Sequence, residues 1–346
     1  ISGAGGSIGL ELVKQCLAFN PSEIICVDVN EERIFDISYI KRHNSSKTIV
    51  KSVLVDINNK IQLEKVYNEN RPQIVFHAAA YKHVPIQELH PWTAVDTNIG
   101  GTLNMIKHAD KFEIEKFVLV STDKAVNPVN IMGATKRVAE KIIQSFNGIS
   151  KTKFMAVRFG NVLGSSGSAI PIFQNQINNG GPVTITHPEM TRYFMSIQEA
   201  SQLILQSGSL GKDGEIFLLD MGKPIKISRI ARDLIKLSGY EPESDIPIVY
   251  TGLRPGEKLY EELQHIGEKK INTGHTKITI LKDGKSIIPW NILKYELDSL
   301  LKISKSLDSD KIQKKLKKLL PTYQPRVFTS LDDLDDKLPF GIKGQA

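Results

Sequence analysis

Short apolar runs rich in β-branched residues alternate with helical stretches through the first half of the chain, and this rhythm restricts the fold more than any other feature. The runs are Ile24 to Val27, Ile49 to Val55, Ile74 to Phe76, Phe117 to Val120 and Phe154 to Phe159, while the helical stretches include Leu10 to Phe19, Ile61 to Tyr67, Thr97 to Phe112 and Gly133 to Phe146. Parallel neighbours need crossover helices, so the pattern predicts an α/β fold built on a doubly wound parallel sheet. Beyond about residue 165 the rhythm breaks into Gly180-Gly181-Pro182, Leu253-Arg254-Pro255-Gly256 and an amphipathic stretch from Ile227 to Ser238. Such a change marks a smaller region that covers a ligand.

Gly3, Gly6 and Gly9 form a GxxGxxG turn at the head of the first helical stretch, where backbone can approach a pyrophosphate at a helix N-terminus. A tight turn alone would also use glycine. Asp28 ends the next strand 19 residues after Gly9, the place for a carboxylate that accepts hydrogen bonds from an adenosine ribose. No arginine follows Asp28-Val29 to receive a 2′-phosphate, so the expected cofactor is NAD. Asp56-Ile57, closing the run from Ile49 to Val55, would sit beside the adenine, although an aspartate here also serves as a helix cap. Ala78-Ala79-Ala80 would let the cofactor lie close, or simply let a helix pack tightly. Only Ile1-Ser2 precede the turn, where a buried strand of roughly 4–8 residues is expected. The reading is therefore a truncated first strand and a parent protein that continues upstream.

These observations divide the chain into an NAD-binding Rossmann domain at 1–165, a mainly substrate-binding region at 166–265 and a C-terminal helical extension at 266–346. The tail holds a strand-like run, Lys277 to Leu281, and a helix around Lys311 to Leu320 whose Ile312, Leu316 and Leu319 are interleaved with lysines. That helix either packs on the domain or meets acidic headgroups. A formal charge of +7 is scattered, with lysines gathered at Lys302 to Lys318, which favours anionic ligands weakly and predicts no nucleic-acid partner. Cys16 and Cys26 form no CxxC or disulfide framework, so a reducing, cytoplasmic setting is expected. There is no signal peptide and no apolar run of about 20 residues. His77, His83 and His90 lack metal-ligand spacing, and no metal is expected.

The run Phe117 to Val120 delivers Ser121, Thr122, Asp123 and Lys124 to a strand end, where open α/β sheets bind ligands. Asn127-Pro128-Val129-Asn130 then leads into a helix on which Met132 and Lys136 share a face at i, i+4. Lys136 could reach a nicotinamide ribose; the alternative is a core methionine beside a surface lysine.

Together the motifs GAGGSIG from Gly3, HAAAYKHVP from His77, TNIGGT from Thr97, STDKAVNP from Ser121, MGATK from Met132, RFGNVLGSSGS from Arg158 and LRPGEK from Leu253 resemble a known family. It is that of the nucleotide-sugar 4,6-dehydratases of the extended short-chain dehydrogenases, in particular the long, membrane-tethered UDP-N-acetylglucosamine 4,6-dehydratases of polysaccharide biosynthesis. Short-chain dehydrogenases in general carry YxxxK, with a tyrosine that moves a proton. Met132 stands at that position and cannot. The long dehydratases also resemble this chain there, so the methionine marks a subfamily and does not signal a dead enzyme.

The resemblance implies a redox-neutral, NAD-dependent reaction: oxidation at C4, loss of the C5 proton and C6 hydroxyl, and return of hydride to C6, with C5 configuration retained. It implies Lys124 as the C5 base if its pKa is lowered, Asp123 as the C6 acid if its pKa is raised, and Thr122 on the C4 oxygen. The C4 hydroxyl proton would pass to Asp123 or to a water ordered by Thr122. Ser7, Ile8 and Asn98 join the cofactor contacts. Lys82, Arg158, Asn161 and Arg192 are expected at the sugar or diphosphate, and Arg254 and Glu257 at the nucleotide ribose; for the arginines an ordinary ion pair is the competing reading. A homo-oligomer, and a cytoplasmic domain of a membrane-anchored parent, are implied in the same way. The alternatives are a UDP-sugar 4-epimerase, which needs neither the C5 base nor the C6 acid, and a non-catalytic nucleotide-sugar sensor.

Overall fold

The computed structural model describes residues 1–42, 47–283 and 287–325. Strands β1 (Glu23–Asp28) and β2 (Ile49–Leu54), with helix α2 (Glu31–Arg42) between them in the chain, pair in parallel, as do, in succession, β3 (Ile74–His77), β4 (Lys116–Val120), β5 (Lys153–Arg158) and β6 (Glu215–Leu219). The first residues of the chain join the two groups. Ser2 bridges Val27 on one side and His77 on the other, with Val27 N–H donating to the Ile1 carbonyl at 2.9 Å and Ala78 N–H to the Ser2 carbonyl at 3.0 Å. The chain therefore leaves the centre of the sheet for β1 and β2 and returns to the other side through β3. That reversal is where open α/β sheets form a ligand crevice.

Alternation along the buried strands feeds two cores. Phe117 and Leu119 of β4 join one that includes Leu63, Leu103, Ile106, Val138 and Ile142, contributed by helices α3 (Lys60–Asn70), α4 (Thr102–Lys111) and α5 (Ile131–Ser145). Val118 between them joins the opposite core with Leu12 of α1 (Ser7–Leu17). The expected helix from Thr97 begins instead with a π-helical turn, Val95–Gly101, whose Gly101 lies so close to Ile57 that an added Cβ would sit 2.4 Å from its Cδ1.

The smaller lobe has its own core, in which Phe173 and Ile177 of α6 (Ala169–Asn178) meet Ile227, Ala231 and Ile235 of a helix spanning Ile227–Leu237. Val183–Ile185 and Ile248–Tyr250 pair beneath them. The expected boundaries at 165 and 265 do not coincide with the sheet. β6 returns from the lobe into it because Ile216, Phe217, Leu218 and Leu219 are apolar enough for burial on both faces. Past residue 266, β7 (Glu268–Asn272) and β8 (Ile278–Asp283) extend the sheet as a hairpin, β8 pairing antiparallel with β6 and β7 antiparallel with β8, so the tail opens with strands before its helices. Those helices, Trp290–Ser304 and Ser309–Leu319, insert Leu293, Leu297, Leu300, Ile312, Leu316 and Leu319 into the same core as α5. The lysine-rich helix thus packs on the domain. Covered on both sides, α5 buries even its Lys136, Arg137 and Glu140. Among the described residues no helix is long and apolar enough to cross a membrane.

Candidate active site

At the crevice the glycine turn is held by close backbone contact. Gly3 has φ +65°, and a Cβ there would lie 2.6 Å from Ala79 N. Ala78 and Ala79 thus pack against the turn through their backbone. A Cβ on Gly9 would fall 2.0 Å from the Gly3 carbonyl oxygen, which fixes how α1 springs from the turn. Gly6 is the N-cap and offers no side chain, so the amides opening α1 at Ser7 and Ile8 have no side-chain cap. An uncapped helix start beside a glycine turn suits a pyrophosphate. Asp28 is 7% exposed, accepting from Gly5 N–H at 2.9 Å and Asn30 N–H at 3.0 Å; each oxygen keeps a second lone pair for a ribose hydroxyl. Asp56 is exposed and caps its own turn through Asn58 N–H at 2.8 Å, while Ile57 is buried against Gly101. The donor set fits a dinucleotide.

Beyond β4, Ser121 and Asp123 still donate their amides to Val157 and Phe159 carbonyls of the β5 side, which carries the block to the strand end in a defined register. Thr122 caps the short turn Asp123–Ala125. Its hydroxyl donates to Asp123 Oδ1 at 3.0 Å, and Lys124 Nζ donates to the same oxygen at 3.0 Å and to Asn161 Oδ1 at 3.1 Å. A second carboxylate, Glu261, lies 3.5 Å from Lys124 Nζ and 3.7 Å from Arg192 Nε. Asp123 Oδ2 and Glu261 Oε2 are buried with no hydrogen-bond partner among the described residues. Orphaned carboxylate oxygens of this kind are costly in a core and expected where a ligand supplies the proton.

Burial works against the Lys124 charge, but Asp123 and Glu261 together outweigh it, so its pKa stands above the ordinary lysine range. The expectation of a lowered pKa is thereby reversed: in the free protein Lys124 is an ammonium. Lys136 behaves oppositely. It is 6% exposed and donates to the Val120 carbonyl at 2.6 Å; burial pushes its pKa down to about 8, with Glu140 resisting. Met132 shares its helix face and is 4% exposed. Gly133 lets the helix seat against the Lys124 carbonyl, where an added Cβ would come within 2.2 Å.

Several expected contacts have other partners. Arg158 is fully buried and bonds Glu140 at 2.8 Å and Glu268 at 2.9 Å, so its guanidinium neutralises interior carboxylates and does not face a substrate. Asn98 is also fully buried; its amide exchanges hydrogen bonds with the Tyr81 backbone and donates to Thr135, bracing the loop instead of reaching a cofactor. Arg192 gives its terminal nitrogens to the carbonyls of Thr191, Leu259 and Lys258, leaving Nε toward Glu261. Glu257 accepts from Arg254 N–H at 3.1 Å, and Arg254 Nε is buried without a hydrogen-bond partner among the described residues, as expected of a ligand-facing arginine. Lys82 is exposed and reaches the Ser166 carbonyl at 2.6 Å, while Ser166 N–H donates to Ser7 Oγ, closing a loop over the glycine turn. Glu261 was not anticipated: its contact to Lys124 spans a sequence distance that no local spacing reports.

Residues 1–283 match the model of a family described as polysaccharide biosynthesis protein. The chain belongs to this family. Among curated relatives, the capsular polysaccharide biosynthesis protein CapD of Staphylococcus aureus is 50% identical over 88% of this chain and 52% of its own length. The chain thus spans about half of such relatives. A UDP-glucose 4-epimerase of Rickettsia canadensis is 36% identical over 76% of each chain, and an inverting UDP-N-acetylglucosamine 4,6-dehydratase of Campylobacter jejuni 34% identical over 75% of each. Among solved structures, Pen from Bacillus thuringiensis is 32% identical with a TM-score of 0.74, covering 84% of this chain and 87% of its own. Membership accounts for the Rossmann-type sheet, which these polysaccharide biosynthesis proteins share with nucleotide-sugar dehydratases and epimerases.

Proposed function

We propose that this polysaccharide biosynthesis protein is an NAD-dependent nucleotide-sugar enzyme of the dehydratase and epimerase group, and within it a UDP-N-acetylglucosamine 4,6-dehydratase that retains configuration at C5. The observation that carries the reading is Asp123, a buried carboxylate linked through one oxygen to Thr122 and Lys124 and with no hydrogen-bond partner at the other among the described residues. Epimerisation at C4 needs a single proton acceptor, whereas dehydration needs an acid at C6 and a base at C5 as well. NAD, held by the glycine turn and Asp28, supplies the hydride acceptor for C4 and the donor for C6. Thr122 orients the C4 oxygen and passes its proton to Asp123. Asp123 then delivers that proton to the departing C6 hydroxyl, so the proton lost from C4 leaves as part of water. Lys124 removes the C5 proton and returns it from the same side. Lys136 holds the nicotinamide ribose, Lys82 and Arg254 the diphosphate and nucleotide, and Asn161 the Lys124 amine. Assembly and membrane anchoring, properties of the whole protein, stay within the proposal.

Incubation with UDP-N-acetylglucosamine and NAD, followed by NMR of the sugar, tests the reading. A 4-keto-6-deoxy product supports it. The names of the Rickettsia relatives favour a 4-epimerase as the second reading, and a galacto product would establish that instead. Unchanged sugar would leave a binding protein.

A further inference from the structure

Proton counting exposes a gap beside Asp123. If Asp123 takes the C4 hydroxyl proton and releases it at C6, its own balance closes, yet Lys124 remains an ammonium with no lone pair for the C5 proton. A carboxylate already stands beside it. Glu261 lies 3.5 Å from Lys124 Nζ, its side chain is 3% exposed, and its Oε2 has no hydrogen-bond partner among the described residues. We propose that Glu261 is the proton store for Lys124: an N–H bond of the ammonium breaks, an O–H bond forms on Glu261, and a neutral amine is left beside a neutral acid.

No charge enters or leaves in that exchange. The amine takes the C5 proton as the C6 hydroxyl departs and later gives it back to C5. Glu261 then returns its proton and restores the ion pair. Glu261 acts through Lys124 and is a positioning residue in this scheme. The groups facing Lys124 are Asp123 from its own turn, Glu261 from the loop after Pro255 and Arg192 from the lobe, with Lys82 also within electrostatic reach. Arg192 is fixed by three carbonyls, and its Nε stands 3.7 Å from Glu261, on the other side of that carboxylate's contact to Lys124. The raised pKa of Lys124 agrees with a resting ammonium shared between two carboxylates.

The chemistry rests on the dehydratase reading, but the coupling can be measured without it. Amine-directed acetylation of the full chain across a pH series, read at Lys124 by peptide mass spectrometry, should show Glu261→Gln moving the labelling midpoint down by about one pH unit or more. An unmoved midpoint overturns the proposal. In D₂O, deuterium incorporation at C5 should be nearly flat around neutral pH for the parent protein. In Glu261→Gln it should be slow and rise about tenfold per pH unit, because the amine must then lose its proton to solvent. Glu261→Asp should restore a flat profile at reduced rate. A loss of equal size at every pH would mean a purely structural role and also overturn it. Failure of the parent protein to form any keto sugar would instead sink the dehydratase reading, and the labelling midpoint would still decide whether Glu261 governs Lys124.

Discussion

Two lysines, one half-buried and one buried, stand near the same crevice with opposite fates. Lys124, just past the end of β4, has Asp123, Glu261 and Asn161 Oδ1 around its ammonium, and its pKa rises. Lys136, inside α5, donates to a backbone carbonyl, and its pKa falls to about 8. Burial opposes charge at both sites, so the difference lies in the neighbours. The strand-end region surrounds its ammonium with carboxylates, which suits the proton exchange proposed for it. The helix region holds its donor rigidly but opposes its charge, which suits the proposed contact to ribose hydroxyl groups.

The largest effect that could break this contrast is catalytic. Lys124→Ala should lower turnover of UDP-N-acetylglucosamine by about 10²–10⁴-fold and abolish deuterium incorporation at C5, as loss of a general base does; exchange at the parent rate would place the base elsewhere. Asp123→Asn should remove turnover to a similar degree, with near-normal product formation by NMR excluding its role. Next comes Glu140, which joins the two regions through its bonds to Ser121, Arg137 and Arg158. Glu140→Gln leaves Glu268 as the carboxylate that Arg137 and Arg158 still share, at 3.6 and 2.9 Å, and should cost about 3 kcal/mol in urea unfolding. The same change withdraws the carboxylate that supports the Lys136 charge, so the Lys136 pKa should fall below about 8.

How far the sequence reveals these regions follows from the range of the interactions. The β4 run, the glycine turn and the Met132 to Lys136 face are local patterns, and each appears where its spacing places it. The Asp123–Lys124 pair is adjacent in sequence, but its electrostatics are not legible there, because Glu261 arrives from a loop far along the chain. Arg158 illustrates the same limit. A strand-end arginine looks available until Glu140 and Glu268 close on it in the core. Asn98 sits in a motif beside the crevice, yet the π-helical turn directs its amide to Tyr81 and Thr135. The lobe boundaries blur because β6, β7 and β8 return to a sheet begun more than a hundred residues earlier.

Lys136→Met sharpens the comparison through stability. The folded protein releases the Lys136 proton near pH 8 while the unfolded chain holds it to about 10.5, so the unfolded state binds more protons in that window and raising pH there stabilises the fold. Below the window the parent carries the full cost of a buried charge. The substitution should therefore add about 1–2 kcal/mol at pH 7, after loss of the bond to Val120, and the gain should shrink as pH approaches 10. Urea titrations at the two pH values check this; equal differences at both would show that Lys136 is not charge-strained.

The smallest expected change is at Thr122, whose hydroxyl touches Asp123 Oδ1 and also caps the turn through Lys124 N–H at 3.4 Å. Thr122→Val should lower turnover by about tenfold, the cost of one hydrogen bond of roughly 1.4 kcal/mol to a charged group. Thr122→Ser should recover most of it, because the capping oxygen and the donor both return. If valine and serine lose activity equally, the hydroxyl and the methyl group are both needed to position the block, and loss of the hydrogen bond to Asp123 alone does not explain the defect. If only valine loses activity and C5 exchange persists in it, the defect lies at C4 alone, and proton handling at Lys124 is separable from the oxidation step that precedes it.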